Sequence, residues 1–178
     1  FQSRGRPHIF PSGEHSFELI PPDSSMTPFE NAGRNTNHII LNEFGKVAKS
    51  RLRHTPHVNL KSVLVEIENK YSNLLLETES AKFRHHNDIS LPSSLGPYWA
   101  FAQGKAVKQE IEATTIKLSD QFDMSLALIR LLVFRDRTFL CLNESLRYEK
   151  KVQTRIDAEL SSFLESYFPI VSEFECPR

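Results

Sequence analysis

Glycine is scarce in this chain, 6 in 178 residues, and there are only two cysteines and one tryptophan. Few glycines argue against a turn-rich all-β fold, whose tight hairpins need residues that accept left-handed backbone. Two cysteines, Cys141 and Cys176, are too few for a disulfide scaffold. Cys141 lies in the apolar run 139–142, where it reads as a small inert hydrophobe, so a reducing compartment is expected. No apolar run reaches the roughly 18 residues of a membrane span. The opening residues FQSRGRPHIFPSG lack the apolar stretch of a signal peptide. The start without Met, and the end soon after a long helical pattern, read as an excised domain or a processed product. Charge of one sign is missing too, since Lys+Arg and Asp+Glu both number 22. No overall charge therefore marks the chain as a nucleic-acid protein.

What is present is a long stretch, 105–168, free of both glycine and proline, bounded by Gly104 and Pro169. Its middle, residues 126–134 (LALIRLLVF), is the most apolar patch in the chain and is expected to be buried. A single straight helix over the whole stretch would run on the order of 95 Å at 1.5 Å per residue. Breaks are therefore expected at Ser119-Asp120 and at Arg135-Asp136-Arg137. The last helix then covers 138–167, with Leu142, Leu146, Val152, Ile156, Leu160, Phe163, Leu164 and Tyr167 as its stripe. Residues 131–134 and 139–142 also fit the two strands of a β-hairpin. The helix is preferred because leucine outnumbers β-branched residues and the intervening loop lacks Gly or Asn.

Upstream, residues 1–36 hold Pro7, Pro11, Pro21, Pro22 and Pro28, spaced so that no helix is expected. Within this extended arm, 15–20 alternates like a strand and sets Phe17 and Leu19 on one side. The arm is expected to lie on its own domain or to dock on another protein. A helix is expected from Asn37, as its cap, to His54, with Lys46, Lys49, Arg51 and Arg53 as a basic face. Thr55-Pro56 ends it, and Asn59 is expected to cap the next helix. Residues 88–97 (DISLPSSLGP) read as a loop, anchored by the aromatic cluster Tyr98, Trp99 and Phe101.

The expected fold is mainly α, a bundle of four or five helices with an extended Pro-containing arm. The domain division is 1–36 for the arm and 37–178 for the helical domain. The alternative is α+β with a hairpin at 130–142.

Candidate chemistry is thin. His54 and His57 flank Thr55-Pro56, and His85-His86 sit beside Asp88, but neither cysteine completes a zinc set with them. No Gly-x-Ser-x-Gly turn and no phosphate-cradling glycine loop is present. Glu66, Glu68, Glu77 and Glu79 read as a solvated helix face. Asn143-Glu144-Ser145 matches the glycosylation tripeptide by chance. No enzyme activity, metal or cofactor is expected from these patterns.

The expected role is protein–protein interaction, as an adaptor or scaffolding domain of a larger intracellular complex, in nucleus or cytoplasm. The expected contacts are Phe17, Leu19, Arg147, Tyr148, Lys151 and Tyr167, toward another protein chain or a second copy. Tyrosine and arginine are favoured at binding hot spots. The alternative is a nucleic-acid-contacting subunit that grips phosphates through Lys46, Lys49, Arg51 and Arg53.

Overall fold

A computed structural model describes residues 5–21, 23–144 and 148–174, together with the backbone of Gln2 and Ser3. The chain forms two compact units, Phe1–Ile111 and Glu112–Arg178.

The first unit begins with β1 (Gln2–Ser3), β2 (Arg6–Ile9) and β3 (Pro11–His15), followed by α1 (Pro28–Phe44) and β4 (Ser50–Leu52). Next come α2 (Lys61–Lys70), α3 (Ser72–Ser80), a π-helical turn at Leu91–Leu95, α4 (Gly96–Ala102) and β5 (Val107–Lys108). β2 pairs antiparallel with β1 and parallel with β5, while β3 pairs antiparallel with β4. Trp99 sits in the core at 1 % exposure. Its ring meets Phe44 and Tyr71 edge-on, at centroid distances of 5.0 and 6.0 Å. Ile39, Ile40, Val63, Ile67 and Leu95 close the same cluster.

Several expectations about this unit are corrected. The first helix starts at Pro28, not at Asn37. Thr27 caps it: its Oγ1 accepts from the Glu30 amide at 3.3 Å, and Glu30 Oε2 accepts from the Thr27 amide at 3.1 Å. Proline at the first helical position gives up an amide that has no partner in any case, so Pro28 starts the helix instead of barring it. Asn37 lies inside the helix, where its Nδ2 donates to Ser16 Oγ and to the Phe17 carbonyl. The helix stops at Gly45, whose φ of 62° and N–H to the Leu41 carbonyl form a left-handed cap.

The basic helix over 46–53 therefore does not exist. Lys46 and Lys49 are exposed after the cap, and Arg51 lies in β4. Arg51 pairs with Glu14 at 3.1 Å and covers the Phe17 ring at 4.2 Å. Arg53 Nε donates to the Pro11 carbonyl at 3.2 Å. Two of the four side chains are thus spent within the fold.

The second unit is β6 (Ala113–Lys117), α5 (Phe122–Phe134), β7 (Phe139–Asn143) and α6 (Lys150–Tyr167). β6 and β7 run parallel, in register from Ala113↔Phe139 to Lys117↔Asn143. Parallel neighbours need a crossover, and α5 supplies it. Ile116, Leu118, Met124, Leu128, Leu131, Ile156 and Phe163 form its core.

The mainly-α bundle is overturned: the structure is about 48% helical with several short strands, an α+β mix. Residues 130–142 are not one helix, and they are not the alternative's hairpin either. Residues up to Phe134 end α5, and Phe139 opens a strand whose partner is β6. The joint is Arg135, with a left-handed φ of 47°. Its guanidinium donates to the carbonyls of Ser166 and Tyr167 at 2.9 and 3.1 Å and covers the Tyr167 ring at 4.8 Å. Those contacts offset a backbone conformation that costs about 1–2 kcal/mol for a residue with a Cβ. Among the described residues no helix is long and apolar enough to cross a membrane.

Candidate functional site

Two loops of the first unit carry histidine pairs, His54 and His57 in one and His85 and His86 in the other. β4 delivers the chain to Arg53, whose amide donates to the Phe10 carbonyl at 2.8 Å. Thr55 follows, buried, and its amide donates to the Arg53 carbonyl at 2.8 Å. This short turn leaves His54 exposed and His57 half-buried. Burial holds the His57 imidazole below the usual histidine range, and the neighbouring charge of His54 lowers it further. A neutral imidazole of this kind can accept a hydrogen bond at its unprotonated nitrogen.

Asn59 fixes that loop to the next. Its Nδ2 donates to the Pro92 carbonyl at 2.9 Å and to the His57 carbonyl at 3.4 Å. Its Oδ1 is buried without a hydrogen-bond donor among the described residues. A Cβ at Gly96 would collide with this Oδ1, so glycine there leaves the amide its space. Asn59 does not cap α2: that helix starts after Leu60 with no side-chain cap.

A second loop precedes the π-helical turn. Asp88 Oδ2 accepts from the His85 amide at 2.7 Å, and the Asp88 amide donates to the His85 carbonyl at 3.1 Å. His85 Nδ1 accepts from the Asn87 amide at 3.3 Å, and the His85 and His86 rings lie 3.8 Å apart. Asn35 of α1 donates from Nδ2 to the carbonyls of both His86 and Asp88, each at 2.9 Å. Each loop is thus fastened by one asparagine amide: Asn35 holds the 85–88 loop to α1, and Asn59 holds the His57 loop to the π-helical turn at Pro92. Among the described residues, no group of three or more His, Cys, Asp or Glu could hold a metal ion.

Asn35, which sequence reasoning passed over, and Asn59, which it read as a helix cap, are the residues that fasten the candidate site's loops. The signal was available in α1, where Asn31, Asn35, Thr36 and Asn37 crowd a helix whose interior such residues disfavour. Polar side chains tolerated there are spent on tertiary hydrogen bonds. Glu66 is a related correction. It is no solvated face: its Oε1 accepts from Trp99 Nε1 at 3.0 Å and from Gln103 Nε2 at 2.6 Å. The Trp99 hydrogen bond is the first cause holding its carboxyl below the usual range.

The residues expected to bind a partner are scattered. Phe17 packs over Gly33 and against the Phe29 ring at 5.3 Å, within its own unit. Leu19 is exposed. In the second unit Tyr148 packs against the core, Lys151 is exposed, and Tyr167 stacks between Phe163 and Phe168. Arg147, Leu146, Ser145 and Cys176 lie outside the described residues.

Comparison with known proteins gives this geometry its context. Residues 53–101 match the family model for Stealth protein CR3, conserved region 3, and residues 130–178 match that for Stealth protein CR4, conserved region 4. An exopolysaccharide phosphotransferase of Streptomyces coelicolor is 36% identical over 154 residues, 86% of this chain and 26% of that protein. The exopolysaccharide phosphotransferase CpsY of Mycobacterium leprae is 34% identical over 154 residues, 86% of this chain and 28% of its own length. A further Streptomyces coelicolor exopolysaccharide phosphotransferase is 28% identical over 175 residues, covering 98% of this chain and 32% of the relative. The chain therefore spans about a quarter to a third of the length of these curated relatives.

These matches overturn the expected scaffold or adaptor role, with the nuclear complex subunit it implied, and its nucleic-acid alternative. They also overturn the expectation that the chain has no part in an enzyme. Helical periodicity carries packing information and is silent about chemistry. Residues 53–101 and 130–178, one stretch in each unit, thus match two successive conserved regions of a single family, the Stealth proteins.

Proposed function

We propose that this chain is part of an exopolysaccharide phosphotransferase and that its first unit contributes the His57 and 85–88 loops to the reaction site. The observation that carries the proposal is the pair of Stealth matches, backed by relatives that bear that name across most of this chain. The geometry is compatible with it. In phosphotransfer to a sugar, a hydroxyl oxygen attacks phosphorus, its proton passes to a base, and the leaving oxygen departs with the bonding electron pair. His57, kept neutral by burial, suits the base. The exposed Arg84 suits the neutralisation of phosphate oxygens. An intracellular setting, expected from the residues alone, belongs with this proposal, and fractionation of cells making the full-length protein tests it.

The decisive experiment supplies the full-length protein with a panel of sugar-nucleotide donors and a polysaccharide acceptor, and follows phosphodiester formation by phosphorus NMR. Formation of the diester is expected. His57→Gln is expected to lower the rate by about 100-fold or more, the usual worth of a general base, with the melting temperature unchanged. No diester with any donor sinks the activity, and a fully active His57→Gln sinks the role of His57.

A further inference from the structure

α5 carries two apolar stripes where an ordinary surface helix carries one. Met124, Leu128 and Leu131 face the core of the second unit. Phe122, Leu126, Ile129 and Val133, at spacings of four, three and four, are exposed at 76, 53, 56 and 69%. At 3.6 residues per turn the two stripes lie about 160° apart around the helix axis. α6 differs: its exposed positions are mostly polar, among them Lys151, Thr154, Arg155, Asp157, Ser161 and Glu165, with Leu164 its one large apolar side chain at the surface. Exposed apolar side chains also occur at Phe134, at Leu164 and after α6 at Phe168, Ile170, Val171 and Phe174, but on α5 four of them line up along one stripe.

The stripe also borders a groove. Ile129 lies both on it and in a depression of about 220 Å³ between α5 and α6, with Leu128, Leu132 and Phe163 as its apolar lining. Ser125, Ser162, Ser166 and Glu159 complete the lining. An apolar ridge beside an apolar groove with polar groups at its edge is the relief into which an amphipathic helix packs.

We propose that the outer face of α5 is an internal interface, covered in the full-length protein by a segment outside residues 1–178. This rests on the phosphotransferase reading above, under which this chain is about a quarter to a third of the whole. A contiguous apolar face of this size on a folded protein marks an interaction site. A segment of the same polypeptide covers it at high effective concentration in every molecule, which a separate partner does not. A surface that stayed open would also promote self-association, a hazard that permanent cover removes.

The test places the photo-crosslinking amino acid benzoylphenylalanine at Leu126 and, separately, at Val133 in the full-length protein. Illuminated samples are digested and the crosslinked peptides are identified by mass. The expected result is a crosslink from both positions to peptides outside residues 1–178. A crosslink into residues 1–111, a crosslink to the same face of a second copy, or no crosslink beyond solvent would each overturn the proposal. The readout needs no substrate. Absent phosphotransfer with the expected crosslink therefore refutes only the activity, and active enzyme without the crosslink refutes only the interface.

Discussion

In the first unit Asn31, Thr36, Asn37 and Thr55 are buried alongside the apolar core, whereas the seven core residues of the second unit are all apolar. Buried polar groups need partners, and in the first unit asparagine amides find them on loop backbone: Asn31 on Asp23, Asn37 on Phe17. The half-buried Asn35 and Asn59 do the same on the loops that carry the histidines. Directional bonds of this kind fix loops that apolar contact alone leaves free to slide. The second unit is built by area and shape, through a parallel strand pair and two helices, with one helix face left uncovered. The difference separates a unit that positions polar loops from a unit that packs.

Removing the centre of the first unit gives the sharpest break. Trp99→Ala deletes the ring between Phe44 and Tyr71 and leaves Glu66 Oε1 without its indole donor. A loss of about 3–5 kcal/mol is expected, the usual cost of an aromatic-to-alanine change in a core. Denaturant titration followed by far-UV circular dichroism measures it. A loss below about 1 kcal/mol would mean that Trp99 does not organise this unit.

A smaller effect tests the amide clamp itself. Gly96→Ala places a methyl group on Asn59 Oδ1, and displacing that side chain breaks its bond to the Pro92 carbonyl. About 1–2 kcal/mol of destabilisation is expected from the lost bond and the crowding, partly offset by alanine's better helix propensity. With Asn59→Ala present the clash is gone, so the double variant is expected to cost less than the sum of the two single ones. Strict additivity in that cycle would show that the two residues do not meet.

The smallest effect is in the pH dependence. The His57 pKa in the folded state lies below its unfolded value near 6.5, chiefly through burial and then through His54. As pH falls below that unfolded value, the unfolded chain takes up the proton first. The His57 contribution to stability is then lost progressively until the folded pKa is passed, and below that it is constant. Between pH 7.5 and 5 the melting temperature of wild type is expected to fall relative to that of His57→Gln, which has no such group to protonate. Parallel curves would show that His57 is not buried as the structure places it.

Some elements were legible in the residues alone. Apolar spacing located the helical stretch after Asn59, now α2 and α3, and the end of the last helix at Tyr167. The aromatic cluster at Tyr98 and Trp99 was recognisable as a core anchor. Other elements were legible and misread. Thr27-Pro28-Phe29-Glu30 is a capping box with proline at the first helical position. In Ala113–Lys117 the β-branched Thr-Thr-Ile signals a strand inside a stretch read as helical for want of glycine and proline.

What the residues by themselves determined is local: where helices can start and stop, and which side chains are apolar enough to need cover. That 139–143 is a strand was decided by a partner far upstream in the chain, because a short apolar run such as 139–142 suits a buried helix and a buried strand equally. The orientation of α5 was decided the same way. Both of its faces are apolar, so composition could not say which one turns inward until β6, β7 and α6 occupied one side. The candidate site belongs wholly to the tertiary level. Asn35 and Asn59 become clamps only when folding brings α1 against the carbonyls of His86 and Asp88 and the turn after β4 against that of Pro92, and no spacing in a linear sequence encodes those distances.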